Sequence, residues 1–165
     1  MASTSNIRTT IRDTIASFLA AYVAAIEQPD NASVLLSRDL APSCKRFIRP
    51  ASVMKSLGID TSNAEDNETY AARMQGEIPL LETVHVNAIE ESLVIDVEAR
   101  KAAFRSEHWL TLKGRAETML EFSWFMDFDK DGGKIEKIVQ VLDTAECAKY
   151  VDAMMDVAKD LGGHA

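Results

Sequence analysis

The sequence predicts a single α+β domain over residues 1–165, a strongly curved, mostly antiparallel sheet packed on N-terminal helices, with an additional C-terminal helix. Three features point there. Helical spacing of apolar residues dominates up to residue 77. From Leu81 the apolar period drops to two and holds to Leu142. Two strand-like runs, 117–128 and 134–142, then flank the acidic, glycine-containing turn Asp129-Lys-Asp131-Gly132-Gly133. A long first helix lying in such a sheet forms a cone with a pocket at its open end.

Taken in order, residues 7–27 repeat Ile7, Ile11, Ile15, Phe18, Tyr22 and Ile26 at helical spacing, while Arg8, Arg12, Asp13 and Glu27 fall away from that stripe. Pro29 ends the helix, and Asp30-Asn31 offers a cap for a short second one through Leu36. Residues 44–49 read as a strand punctuated by Pro42 and Pro50, with Lys45, Phe47 and Arg49 sharing a face. Residues 58–67 have turn composition and lead into a helix over 68–77, with Tyr70, Ala71 and Met74 on one face and Pro79 closing it. Strand patterning follows in 84–88, 93–97 and 102–112. In the last, Phe104, His108, Leu110 and Leu112 oppose Arg105, Glu107, Trp109 and Thr111. Lys113-Gly114 signals a turn. Within 117–128, Phe122, Trp124 and Met126 share a face opposite Glu121, Ser123 and Phe125. The chain closes with a helix over 144–161, carrying Ala148, Val151, Met155 and Ala158 and stopped by Gly162-Gly163.

Composition narrows the function. The 165 residues are 47% hydrophobic and 27% charged, an ordinary globular balance, with a net charge of -8. That sign disfavours nucleic acid and anionic membrane surfaces as partners. Cys44 and Cys147 form no CxxC pair and suit a reducing, cytoplasmic location. The polar N-terminal residues lack the charged start and apolar core of a signal peptide, and no apolar run reaches transmembrane length.

The closing strand, Lys134-Ile-Glu-Lys-Ile-Val-Gln140-Val-Leu142-Asp143, resembles that of the SnoaL-like, nuclear transport factor 2-like superfamily. There a glycine-lysine-isoleucine start leads to an acidic or amide residue, a large apolar residue and an Asp. The element order agrees over most of the chain, and the variant resembles small fungal proteins of secondary metabolism. The superfamily includes polyketide cyclases, ketosteroid isomerase, scytalone dehydratase and limonene epoxide hydrolase. The resemblance implies acid–base chemistry on an apolar ligand with no metal and no organic cofactor. The superfamily also holds binding and dimerisation modules without activity, so the fold alone does not settle function.

The candidate residues follow. By resemblance Ile138, Gln140 and Leu142 face the pocket, where the Gln140 amide would orient a carbonyl or hydroxyl. Asp143 is the superfamily's common acid, yet Asp143-Thr-Ala-Glu146 also reads as a capping box, and a cap carboxylate is a poor base. Tyr22 stands where superfamily enzymes often place a hydrogen-bonding tyrosine, and Tyr70 is a second phenol able to polarise a carbonyl. Glu107 and His108 are adjacent and point to opposite faces, so only one enters the cavity; either would be an acid–base group, and Trp109 shares the Glu107 side. Trp124 reads as core or as pocket wall. Ketosteroid isomerase-like relatives place an acid before a proline in the first strand; here the pair is Arg49-Pro50, which removes that base but offers a guanidinium for a substrate carboxylate or enolate.

Asp127-Phe-Asp129-Lys-Asp131-Gly132 begins like a calcium-binding loop, but its twelfth position is Ile138, where a bidentate Glu is needed. The resemblance implies a cofactor-independent isomerase, cyclase or dehydratase for a lipophilic, oxygenated small molecule of polyketide or terpenoid type. Tyr22, Glu107, His108 and Asp143 are its candidate catalytic groups. Arg49, Tyr70, Trp109, Trp124 and Gln140 are its candidate binding groups. The alternative is a silent ligand-binding or dimerisation module. Apolar positions on both sheet faces favour a homodimer in either case.

Overall fold

A computed structural model describes residues 4–56 and 64–162. Most of the polar loop expected over 58–67, and the Gly163 stop, lie outside the described residues. The first helix, α1, spans Thr4–Glu27. A single turn of tight helix at Pro29–Asn31 leads into α2, Ala32–Ser37. Next come β1 (Leu40–Arg49), α3 (Ala51–Ser56) and α4 (Asn67–Glu77). The strands β2 (Leu81–Asp96), β3 (Lys101–Leu112), β4 (Glu117–Phe128) and β5 (Ile135–Leu142) follow, and α5, Thr144–Gly162, closes the chain. Asp66 caps α4 by accepting the Thr69 N–H at 2.9 Å, and Pro79 lies in the tight turn, Ile78–Leu80, that ends it.

The five strands form one sheet in the order β1-β5-β4-β3-β2, antiparallel except where β1 runs parallel to β5. Two expected short strands over 84–97 are one long strand, β2, broken by a register irregularity between Ile89 and Val94. The first strand begins at Leu40, ahead of Pro42; β1 is a sheet edge, the place where a proline costs no ladder hydrogen bond. The short helix α3 is too brief to carry an apolar period in the sequence.

The sheet's inner face buries Phe104, Leu110, Leu120, Phe122, Trp124 and Ile138. Against it α1 lays Ile7, Ile11, Ile15, Phe18 and Leu19. The β4–β5 turn is fastened to this helix. Thr14 Oγ1 donates to the Gly132 carbonyl at 2.9 Å, and a Cβ on Gly132 would sit 2.8 Å from Ile11 Cγ1. Gly132 also has φ +78°, a region that L side chains enter at a cost. Gly132→Ala is expected to destabilise the fold by about 2–4 kcal/mol, since Ile11 is fully buried and has no room to yield; urea denaturation measures it. Among the described residues no helix is long and apolar enough to cross a membrane.

Candidate functional site

Between α1, α4, α5 and the inner faces of β1 and β3–β5 the cone encloses a cavity of about 440 Å³. That lies within the range of small-molecule sites, roughly 300–1,000 Å³. Its walls are apolar, with Phe18, Leu110, Leu120, Phe122, Trp124 and Met154 among them. Three polar groupings interrupt them.

The first centres on Glu77, the last residue of α4. Tyr70, Met74 and Glu77 fall on one helical face, so the carboxylate is carried where the buried side chains of α4 point. Tyr22 from α1 donates to Glu77 Oε1 at 2.8 Å, and Tyr150 from α5 donates to the same oxygen at 2.9 Å. Among the described residues no donor reaches Oε2. Burial, and then the neighbouring Glu77 charge, raise the pKa of both phenols, so both stay protonated donors.

The second grouping is Trp124, Ser106 and His108, side by side on β3 and β4. The indole Nε1–H donates to Ser106 Oγ at 2.8 Å, and Ser106 Oγ lies 2.9 Å from His108 Nε2. An indole N–H only donates, and Ser106 has no other acceptor among the described residues. Its hydroxyl hydrogen therefore goes to Nε2, which leaves the imidazole proton on Nδ1. Burial pushes the His108 pKa down to about 3, so the ring stays neutral where an exposed histidine would titrate. Its ring packs 4.3 Å from Phe122 and 6.0 Å from Tyr22, centroid to centroid, which sets it beside the Glu77 cluster.

The third is Arg46 on β1. Nη1 donates to Gln140 Oε1 at 3.0 Å, and the guanidinium lies 3.8 Å from the Tyr70 ring centroid. Among the described residues Nη2 is buried without a partner. Nearby Arg73 forks onto Glu65 at 2.8 and 3.0 Å. Burial acts to lower the Arg73 pKa, but the Glu65 hydrogen bonds and charge outweigh it and raise it.

Of the residues singled out from sequence, the cavity brings together Tyr22, Tyr70, His108, Trp124 and Gln140. Four lie elsewhere. Glu107 and Trp109 occupy the opposite face of β3, because strand side chains alternate and His108 takes the inner one. Glu107 does not pair with Arg105; it meets Asn87 at 3.4 Å, and Arg105 pairs with Glu121 at 3.0 Å. Arg49 sits on the outer face of β1, where Nη1 donates to the Ile48 carbonyl at 2.9 Å. Asp143 is exposed and caps α5, accepting the N–H groups of Ala145 and Glu146 at 2.9 and 3.2 Å. Asp143→Ala is expected to lower stability by about 1 kcal/mol without impairing ligand binding, as denaturation and calorimetry would show. Sequence reasoning missed Arg46, Glu77 and Tyr150. Among the described residues no group of three or more His, Cys, Asp or Glu is placed to hold a metal ion.

No protein-family model and no curated protein matches the sequence. Solved structures do match the fold. PrhC from Penicillium brasilianum superposes with a TM-score of 0.74 at 16% identity, over 95% of this chain and 97% of that one. The BvnE pinacolase from Penicillium brevicompactum gives 0.73 at 13% identity, over 92% and 94%. A nuclear transport factor 2-like protein of unknown function from Burkholderia pseudomallei gives 0.62 at 15% identity, over 86% and 97%.

The chain has the SnoaL-like, nuclear transport factor 2-like fold. In this SnoaL-like cone the helices α1, α4 and α5 each deliver one member of the Glu77 cluster, so the carboxylate and its two phenols are positioned only when all three helices are docked. At these identities the likeness establishes the fold, and the chemistry must be argued from the side chains.

Proposed function

We propose that the protein is a cofactor-independent acid–base enzyme, an isomerase, cyclase or dehydratase, for a lipophilic, oxygenated small molecule of polyketide or terpenoid type in secondary metabolism. The observation that carries this is Glu77: a carboxylate lining an apolar cavity, with Oε1 held by two tyrosines and Oε2 open. That arrangement orients one oxygen as a general base toward a bound carbon acid. His108 Nδ1–H is a neutral donor for the oxygen on which charge develops when the proton leaves. The apolar walls exclude water and hold a hydrophobic ring system. The proton taken by Glu77 can return at another carbon, which is isomerisation. If a leaving hydroxyl takes up a proton instead, the outcome is dehydration. That a protein of this fold is a pinacolase supports the catalytic reading.

A cytoplasmic location, which the two free cysteines suit, is proposed with it, as is a homodimer formed through the outer sheet face, where Phe125 is exposed. The test uses a simple carbon acid. β-Tetralone in deuterated buffer should lose its α-hydrogens faster with protein than with buffer alone, followed by proton NMR. Binding of the ketone with no accelerated exchange would leave only a ligand-binding module.

A further inference from the structure

The Arg46 guanidinium is the one charged group lining the cavity that lacks a compensating partner among the described residues. Arg73 is matched by Glu65, and Glu77 is met by two phenols. Arg46 is 4% exposed. Among the described residues its one side-chain hydrogen bond goes to a neutral amide, Gln140, and no carboxylate lies within ion-pair distance. The rings of Tyr70 and Phe18, 3.8 and 5.6 Å from the guanidinium carbon, offset part of the burial cost. They do not supply an acceptor for Nη2. A guanidinium keeps its charge, and a buried charge is normally paired. A water molecule would satisfy the donor without neutralising the charge.

We infer that Arg46 is the recognition site for an anionic oxygen, so that the ligand of this pocket is a lipophilic organic acid, a carboxylic acid or its vinylogous enol equivalent. The inference deepens the proposed function and rests on the same cavity. The acid group takes Nη2 beside Gln140, and the apolar body lies along Phe18, Phe122 and Trp124. The geometry then separates two tasks: Arg46 on the edge strand holds the acid, and Glu77 on α4 meets a carbon elsewhere on the ligand. Edge-strand Arg49, with the same chemistry, is excluded because it faces outward and is occupied by its neighbour's carbonyl.

Calorimetric titration of the native protein with β-naphthoate and with its neutral isostere β-naphthamide tests this. The naphthoate is expected to bind about tenfold or more tightly, the increment of a charge-assisted hydrogen bond over a neutral one. Arg46→Gln should remove that preference, and Arg46→Lys should retain part of it, having the charge without the fork. If Arg46→Gln does not fold, the native protein and Arg46→Lys still decide, since the ligand pair alone reports the charge. Equal affinities in the native protein, no measurable naphthoate binding, or a preference surviving in folded Arg46→Gln would each overturn the inference. A native protein that prefers naphthoate yet exchanges no β-tetralone hydrogen would keep the acid site and remove the catalytic reading, so the two fail separately.

Discussion

Between pH 7 and 4.5 the native protein should lose about 2–3 kcal/mol more stability than the His108→Gln variant. The sign follows from burial. In the unfolded chain His108 titrates near its ordinary value, about 6.5. In the fold its pKa is pushed down to about 3 by burial. Between those values the unfolded state binds a proton that the native state refuses, so stability falls as the pH drops through that window. Above it the ring is neutral in both states and contributes no pH dependence. Glutamine can still accept the Ser106 hydroxyl but has nothing to titrate. Urea denaturation of both proteins at the two pH values, compared as a difference, cancels the carboxylates they share. Parallel curves would mean that His108 is already protonated in the fold or remains accessible to water.

Glu77→Gln should reduce β-tetralone exchange by about 100- to 10,000-fold, the usual contribution of a general base. Glutamine nearly preserves the shape and still accepts from Tyr22 and Tyr150, so a loss of that size reports the missing basicity rather than a collapsed pocket. Tyr22→Phe and Tyr150→Phe should each cost less, because the remaining phenol still orients Oε1. The double replacement should cost more than either, because the carboxylate is then free to turn. Circular dichroism and ketone affinity should stay close to native in Glu77→Gln, separating binding from proton transfer.

Much of the cone was legible because its signals are periodic. The switch from helical spacing to alternation at Leu81, the Asp129–Gly133 turn and the Phe122, Trp124, Met126 face all lie in the chain as patterns, and the structure places them as expected. His108 was legible only as one of two options. Alternation shows that it opposes Glu107, and only the packed sheet shows that it shares the inner face with Leu110. Asp143 carried two signals at once, a superfamily acid and a capping box. The local hydrogen bonds to Ala145 and Glu146 show the cap.

The site residues that escaped notice are polar side chains on apolar faces. Glu77 continues the Tyr70, Met74 stripe, and Arg46 shares the inner face of β1 with Cys44 and Ile48. Face membership is the signal that marks both, since a charge in an apolar stripe calls for a partner or a ligand. Arg49 carries the stronger local signal, the proline that follows it, but lies one residue out of phase with the inner face. Tyr150 had no such signal: its role depends on α5 folding back over the cavity to reach Glu77, a contact across 73 residues of chain.

The most direct measurement of the central claim is the rate of α-hydrogen exchange in β-tetralone with native protein and with Glu77→Gln, taken side by side at equal occupancy. The account predicts exchange well above buffer for the native protein and a fall of at least about 100-fold in the variant. Equal rates for the two proteins, or a native rate no higher than buffer, would contradict it.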